Sequence, residues 1–147
     1  MFSVDCCVVI ILIYWYWYLP ALISLLLYAG DVDIQATGGI QVNSMPLVIQ
    51  PVTATRPMKL GGSVSATSLH LSNAELALLY TTNSLTLGGV YTGTLTVDGV
   101  SLANNASVVN LWSQATSATS SVVFSGGASN FTQPLDVRCT SNILVST

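Results

Sequence analysis

From Asp31 onward the sequence is built of short runs in which polar and apolar residues alternate, most of them broken by glycine or asparagine. Alternation puts successive side chains on opposite faces of an extended strand, so each run predicts one buried and one solvated face. Asp31-Val-Asp-Ile-Gln-Ala alternates, turns at Gly38-Gly39 and resumes as Ile40-Gln-Val-Asn. Val32, Ile34, Ala36, Ile40 and Val42 then share the inner face, with Asp31, Asp33, Gln35 and Gln41 outside. Ser68-Leu-His-Leu-Ser, Ser84-Leu-Thr-Leu, Thr94-Leu-Thr-Val, 108–112 and 122–124 follow the same grammar. Turns are expected at Gly88-Gly89, Asp98-Gly99, Asn104-Asn105 and Gly126-Gly127. Short strands and frequent turns predict an all-β chain.

One helical turn interrupts the pattern. Ser72-Asn-Ala-Glu75 reads as a capping box, in which the serine hydroxyl accepts from the Glu75 amide and the glutamate answers. Residues 74–80 would follow as helix, burying Leu76, Leu79 and Tyr80.

The tail repeats the opening design. Leu135-Asp-Val-Arg-Cys-Thr alternates, turns at Ser141-Asn142 and resumes as Ile143-Leu-Val-Ser-Thr. Laid over each other, Asp33, Thr37, Ile40 and Val42 meet Asp136, Thr140, Ile143 and Val145, and the inward and outward assignments agree. This echo, with irregular strand spacing, suits a parallel β-helix (β-solenoid) better than a meander of hairpins. At roughly 23 residues per coil, residues 31–147 predict about five coils stacked about 4.8 Å apart. A β-sandwich needs a similar number of strands and is the structural alternative.

The first 30 residues are of another kind. Residues 6–29 carry no charge, and as a helix they would span about 36 Å against a hydrocarbon core of about 30 Å. The expected organisation is therefore an apolar leader over 1–30 and a β-solenoid region over 31–147. The leader would be an N-terminal helix, transmembrane or signal-anchor, reaching the membrane through residues 8–29. The β-branched and aromatic residues of 8–18 also suit a buried strand.

Charge narrows the function. Charged residues make up 6% of the chain, with Lys+Arg 3 against Asp+Glu 6. Arg56, Lys59 and Arg138 cannot form the basic stripe that nucleic acid requires. A single histidine excludes a histidine-built zinc site, and Cys6, Cys7 and Cys139 close one disulfide ring at most. His70, between Leu69 and Leu71, is expected to point outward into solvent, while Glu75 is engaged by the helix cap. Asp31 and Asp33 read as edge charges rather than a calcium site, which needs six to eight oxygens. Cys139 takes an inward position as a small apolar side chain, and Cys6-Cys7 is a weak palmitoylation signal. Asn105-Ala-Ser107 and Asn130-Phe-Thr132 are glycosylation sequons. No nucleophile elbow, phosphate loop or metal-spaced cluster is present. The reading is of no enzyme, with no catalytic, cofactor-binding or metal residues.

Residues 69–100, LHLSNAELALLYTTNSLTLGGVYTGTLTVDGV, resemble the repeats of filamentous haemagglutinin-like surface proteins. Leu71-Ser72, Ala74-Glu75-Leu76, Leu85-Thr86-Leu87-Gly88 and Gly93-Thr94-Leu95-Thr96-Val97 carry the likeness, and residues 30–42 look like the family's Gly-Asp-rich coil. The resemblance implies a right-handed parallel β-helix from a large exported adhesin. A structural or adhesive segment of a cell-surface or secreted protein is therefore expected, with glycans or other surface proteins as partners. Ile143-Leu-Val-Ser-Thr is an apolar strand without a polar cap, which predicts either a piece of a longer product or end-to-end self-association. The alternatives are a β-helical polysaccharide lyase or hydrolase and a small single-pass membrane protein. A lyase or hydrolase would need carboxylates or a basic residue gathered along one groove.

Overall fold

The computed structural model describes residues 24–30, 39–104, 106–116 and 120–146. Its strands begin with β1 (Leu25–Ala29), β2 (Ile40–Val42), β3 (Leu47–Pro51), β4 (Arg56–Gly61) and β5 (Leu69–Leu71). A single turn of helix, α1 (Asn73–Leu76), leads to β6 (Leu79–Thr81), β7 (Ser84–Gly89), β8 (Thr92–Asp98) and β9 (Ser101–Leu102). The chain ends through β10 (Val108–Ser113), β11 (Val122–Ser125), β12 (Asn130–Phe131), β13 (Leu135–Cys139) and β14 (Ile143–Val145).

Every strand pairing among the described residues is parallel. The first sheet runs β1-β3-β7-β10-β13 and the second β14-β11-β8-β4-β5, with β2–β6 and β9–β12 as two-stranded pairs. The protein is thus all-β with parallel sheets, and the antiparallel ladders of a sandwich have no counterpart among the described residues.

Parallel register explains the core. Leu25, Leu47, Leu85, Val109 and Leu135 stand opposite one another across the first sheet, and Leu27, Ile49, Leu87, Leu111 and Val137 form a second column. In the second sheet the columns are Leu69, Met58, Leu95, Val122, Ile143 and Leu71, Leu60, Val97, Phe124, Val145. Leu47, Ile49, Met58, Leu60, Leu85, Leu87, Leu95 and Leu111 are fully buried between the sheets. The alternation seen in sequence supplies such columns because parallel strands in register repeat the same face at each level. In β14, at the edge of the second sheet, Ile143 is 53% and Val145 74% exposed.

Several expectations are met, and others are corrected. The strand predictions near 68–72, 84–87, 94–97, 108–112 and 122–124 fall on β5, β7, β8, β10 and β11. Ile40 and Val42 are buried and Gln41 is exposed, as alternation requires. The capping box is formed: the Ser72 amide and hydroxyl donate to Glu75 Oε2 at 2.8 and 2.7 Å, and the Glu75 amide donates to Ser72 Oγ at 3.2 Å. The helix stops at Leu76, however, and β6 follows, so Leu76 and Leu79 are buried while Tyr80 is 41% exposed. Strand periodicity overrides the helical spacing there because β6 pairs with β2 in parallel register. Gly88-Gly89 belongs to β7, and the turn comes at Val90 and Tyr91.

The expected apolar helix also needs correction at its end. Leu25–Ala29 form a half-buried strand at the edge of the first sheet, paired with β3. Residues 1–23, including Cys6 and Cys7, lie outside the described residues. No described helix is long and apolar enough to cross a membrane.

Candidate functional site

Among the described residues, His70, Asp98, Asp136 and Arg138 each carry a structural task. His70 is corrected from outward to buried: it is 6% exposed, and its Nε2 lies 3.0 Å from the Gly61 carbonyl oxygen. The ring lies against the end of the neighbouring strand, where a backbone acceptor offers a better partner than water would after burial. Asp98 ion-pairs with Lys59 at 3.2 Å, and Asp136 with Arg138 at 2.8 Å. The Arg138 guanidinium also stands 5.1 Å from the centre of the Trp112 ring, a cation–π distance. Cys139 is partly buried, unbridged and packed against the core. Asp31, Asp33 and the sequon residue Asn105 lie outside the described residues, while Asn130 sits exposed in β12. Among the described residues no three His, Cys, Asp or Glu gather as metal ligands would.

The corner after β8 shows how tightly some of these groups are built in. The Asp98 carboxylate fills the space beside two glycines: a Cβ on Gly62 would lie 2.1 Å from Oδ2, and one on Gly126 would lie 1.9 Å from Oδ1. Both glycines have positive φ, as does Gly61 at +70°, a backbone region that side chains with a Cβ rarely enter. Asp98 thus ties β8 to both of its neighbours in the second sheet, through Lys59 and Gly62 beside β4 and Gly126 after β11.

On the outer face of the first sheet, Asn110 Nδ2 donates to the Thr86 hydroxyl at 2.9 Å, and both residues are buried. Gln50 Oε1 and Trp112 Nε1 are enclosed there with no hydrogen-bond partner among the described residues, so neither is offered to a molecule arriving from solution. At the last level, Phe124, Gly126, Phe131, Leu135 and Val145 border a largely apolar cavity of about 650 Å³, opening where the aliphatic columns end.

A different arrangement lies beside β2 and β6. Gln41, Asn43, Tyr80, Thr81 and Thr82 line a notch of about 180 Å³. Gln41 and Tyr80 stand opposite each other in the parallel ladder, on its solvent side. The frame below them is heavily bonded. The Thr82 amide and hydroxyl both donate to the Asn43 carbonyl, at 2.7 and 2.8 Å. Thr81 Oγ1 donates to the Met45 carbonyl at 2.6 Å, and Asn83 Nδ2 to the Ser44 carbonyl at 3.1 Å. The side-chain amides of Gln41 and Asn43 and the Tyr80 hydroxyl make no hydrogen bond among the described residues. Fixed backbone, spare donors and acceptors and one exposed ring therefore meet at a single concave place. No aspartate, glutamate, lysine, arginine or histidine is among its lining residues.

Sequence reasoning placed Gln41 outside correctly but put Tyr80 inside, and so missed this notch. The signal available was the alternation of Leu79, Tyr80 and Thr81, which matches a strand as well as a helix end. Compared with known proteins, the chain matches no family model, no curated protein and no solved structure.

Proposed function

We propose that this chain is a parallel β-helix segment, of about five coils by the usual coil length, with a structural or adhesive role in a cell-surface or secreted protein. Successive passes of the chain add strands to the same two sheets in register, which is how a solenoid grows. The observation that carries the functional reading is the separation of the described aspartates: Asp98 and Asp136 stand in different sheets, each paired with its own cation. A glycan lyase or hydrolase needs two such groups converging on one bond. What the outer surface offers instead is an array of amides, hydroxyls and rings on a rigid support. Glycans and other surface proteins are the partners such an array suits. The exposed apolar strand β14 supports end-to-end self-association within the same reading.

The test uses beads coated with the full chain. Retention on a glycan-bearing surface is expected, and it should persist in Asp98→Asn and Asp136→Asn variants. Failure of the coated beads to adhere would overturn the reading. So would release of sugar fragments that those two substitutions abolish.

A further inference from the structure

We infer that the notch formed by Gln41, Asn43, Tyr80, Thr81 and Thr82 is a binding site for one neutral pyranose ring, free or as a unit of a longer glycan. The inference rests on the adhesive reading for its ligand class and adds the place and the charge of the ligand.

Its volume, about 180 Å³, lies below the roughly 300–1,000 Å³ of pockets that take drug-sized molecules. One small ring is the scale of occupant it admits. Tyr80, 41% exposed on a strand whose neighbours Leu79 and Thr81 are buried, offers a rigid aromatic face to the C–H side of such a ring. Gln41 and Asn43 each carry an acceptor and two donors, which match neighbouring sugar hydroxyls that donate and accept in turn.

Structural duty does not account for these groups. The turn at 43–45 is already held to 81–83 by backbone carbonyls and by the side chains of Thr81, Thr82 and Asn83. Preorganisation of this kind lowers the ordering cost that weakens small-ligand binding. The absence of acidic and basic groups from the lining selects against uronates and sulfated or aminated sugars. An extended peptide adds to a sheet through its edge, whereas the notch opens on the outward side of the β2–β6 ladder.

Saturation-transfer NMR on the full chain tests this with methyl glucoside, galactoside and mannoside, beside methyl glucuronide. At least one neutral glycoside should receive saturation on one C–H face, with a Kd on the order of 1 mM, near the weak end of specific binding. Tyr80→Ala should weaken it about tenfold, as loss of a central aromatic contact does, and Tyr80→Phe should hold it within about threefold, because the ring remains. Circular dichroism establishes that both variants fold. No transfer from any neutral glycoside at about 20 mM, well above that Kd, would overturn the inference. The same holds if the glucuronide binds more tightly, or if a folded Tyr80→Ala binds as well as the parent. If beads adhere equally well with and without Tyr80→Ala, the notch assignment falls and the adhesive reading stands. If the glycoside binds through Tyr80 while beads do not adhere, the adhesive reading falls and the notch is upheld.

Discussion

At the corner after β8, the Asp98 carboxylate pairs with Lys59 and fits against Gly62 and Gly126. At the notch beside β2 and β6, the Gln41 and Asn43 amides face solvent while Thr81, Thr82 and Asn83 hold the backbone beneath them. Both places lie where paired parallel strands run into turns, and both carry polar side chains on a rigid frame. In the first the polar atoms are consumed by the fold; in the second they are left over. A side chain that the fold consumes should register in stability when it is changed. One that is left over should register in binding and hardly in stability.

The largest effect should come from Gly61→Ala. Its Cβ would lie 2.3 Å from the Asp98 carbonyl oxygen, at a φ of +70°. Backbone cannot swing aside as a side-chain tip can, so strain and displacement together should destabilise by about 3 kcal/mol, read from a urea transition. Gly99→Ala sharpens the point, because its φ of +59° is similar while the nearest atom to a new Cβ is 3.6 Å away. Only the left-handed conformation is then penalised, and about 1 kcal/mol is expected. Equal losses at the two glycines would mean that close packing at the Asp98 corner does not matter.

Asp98→Asn comes next. The Lys59 and Asp98 side chains are 20% and 26% exposed, so the pair is only partly desolvated and its loss should cost about 1 kcal/mol. The difference between parent and variant should shrink in about 1 M salt, where charges are screened within about 3 Å. A loss independent of salt would assign the role of Asp98 to a short-range hydrogen bond rather than to its charge.

Asn73→Ala should have a similar or smaller effect. Asn73 Nδ2 donates to the Gly99 carbonyl at 2.9 Å and its Oδ1 accepts from the Ser101 amide at 3.0 Å. The side chain thus imitates a strand neighbour for the backbone leading into β9. These bonds are exposed, and about 1 kcal/mol is the expected sum. Hydrogen exchange at Ser101 should speed up more than exchange in β10.

Much of this fold is legible in the residues, and the illegible parts have physical reasons. Ser72 and Glu75 announce the cap because the interaction is local. Leu85, Leu87, Leu95 and Val97 announce their strands because alternation is local as well. β3 and β4 are harder to see: Leu47, Val48 and Ile49 do not alternate, and Pro57 interrupts β4 where its register with β8 shifts. His70 was misplaced because the Gly61 acceptor that draws the ring inward comes from another strand. The notch is least legible of all. Its two halves, 41–43 and 80–82, come together through a parallel pairing that no local pattern encodes.

The smallest effect is the most telling for the comparison. Gln41 is exposed, its side chain has no hydrogen-bond partner among the described residues, and its strand neighbours Ile40 and Val42 supply the buried contacts. Gln41→Ala should therefore change unfolding free energy by less than about 0.5 kcal/mol, the range of surface substitutions that touch no structural feature. Alanine keeps the strand in place and removes only the amide. A loss above about 1 kcal/mol, the worth of a made hydrogen bond, would show that the fold does use this side chain. The distinction between consumed and spare polar groups would then fail at the position where it is sharpest, and with it the reason for regarding the notch as more than a turn.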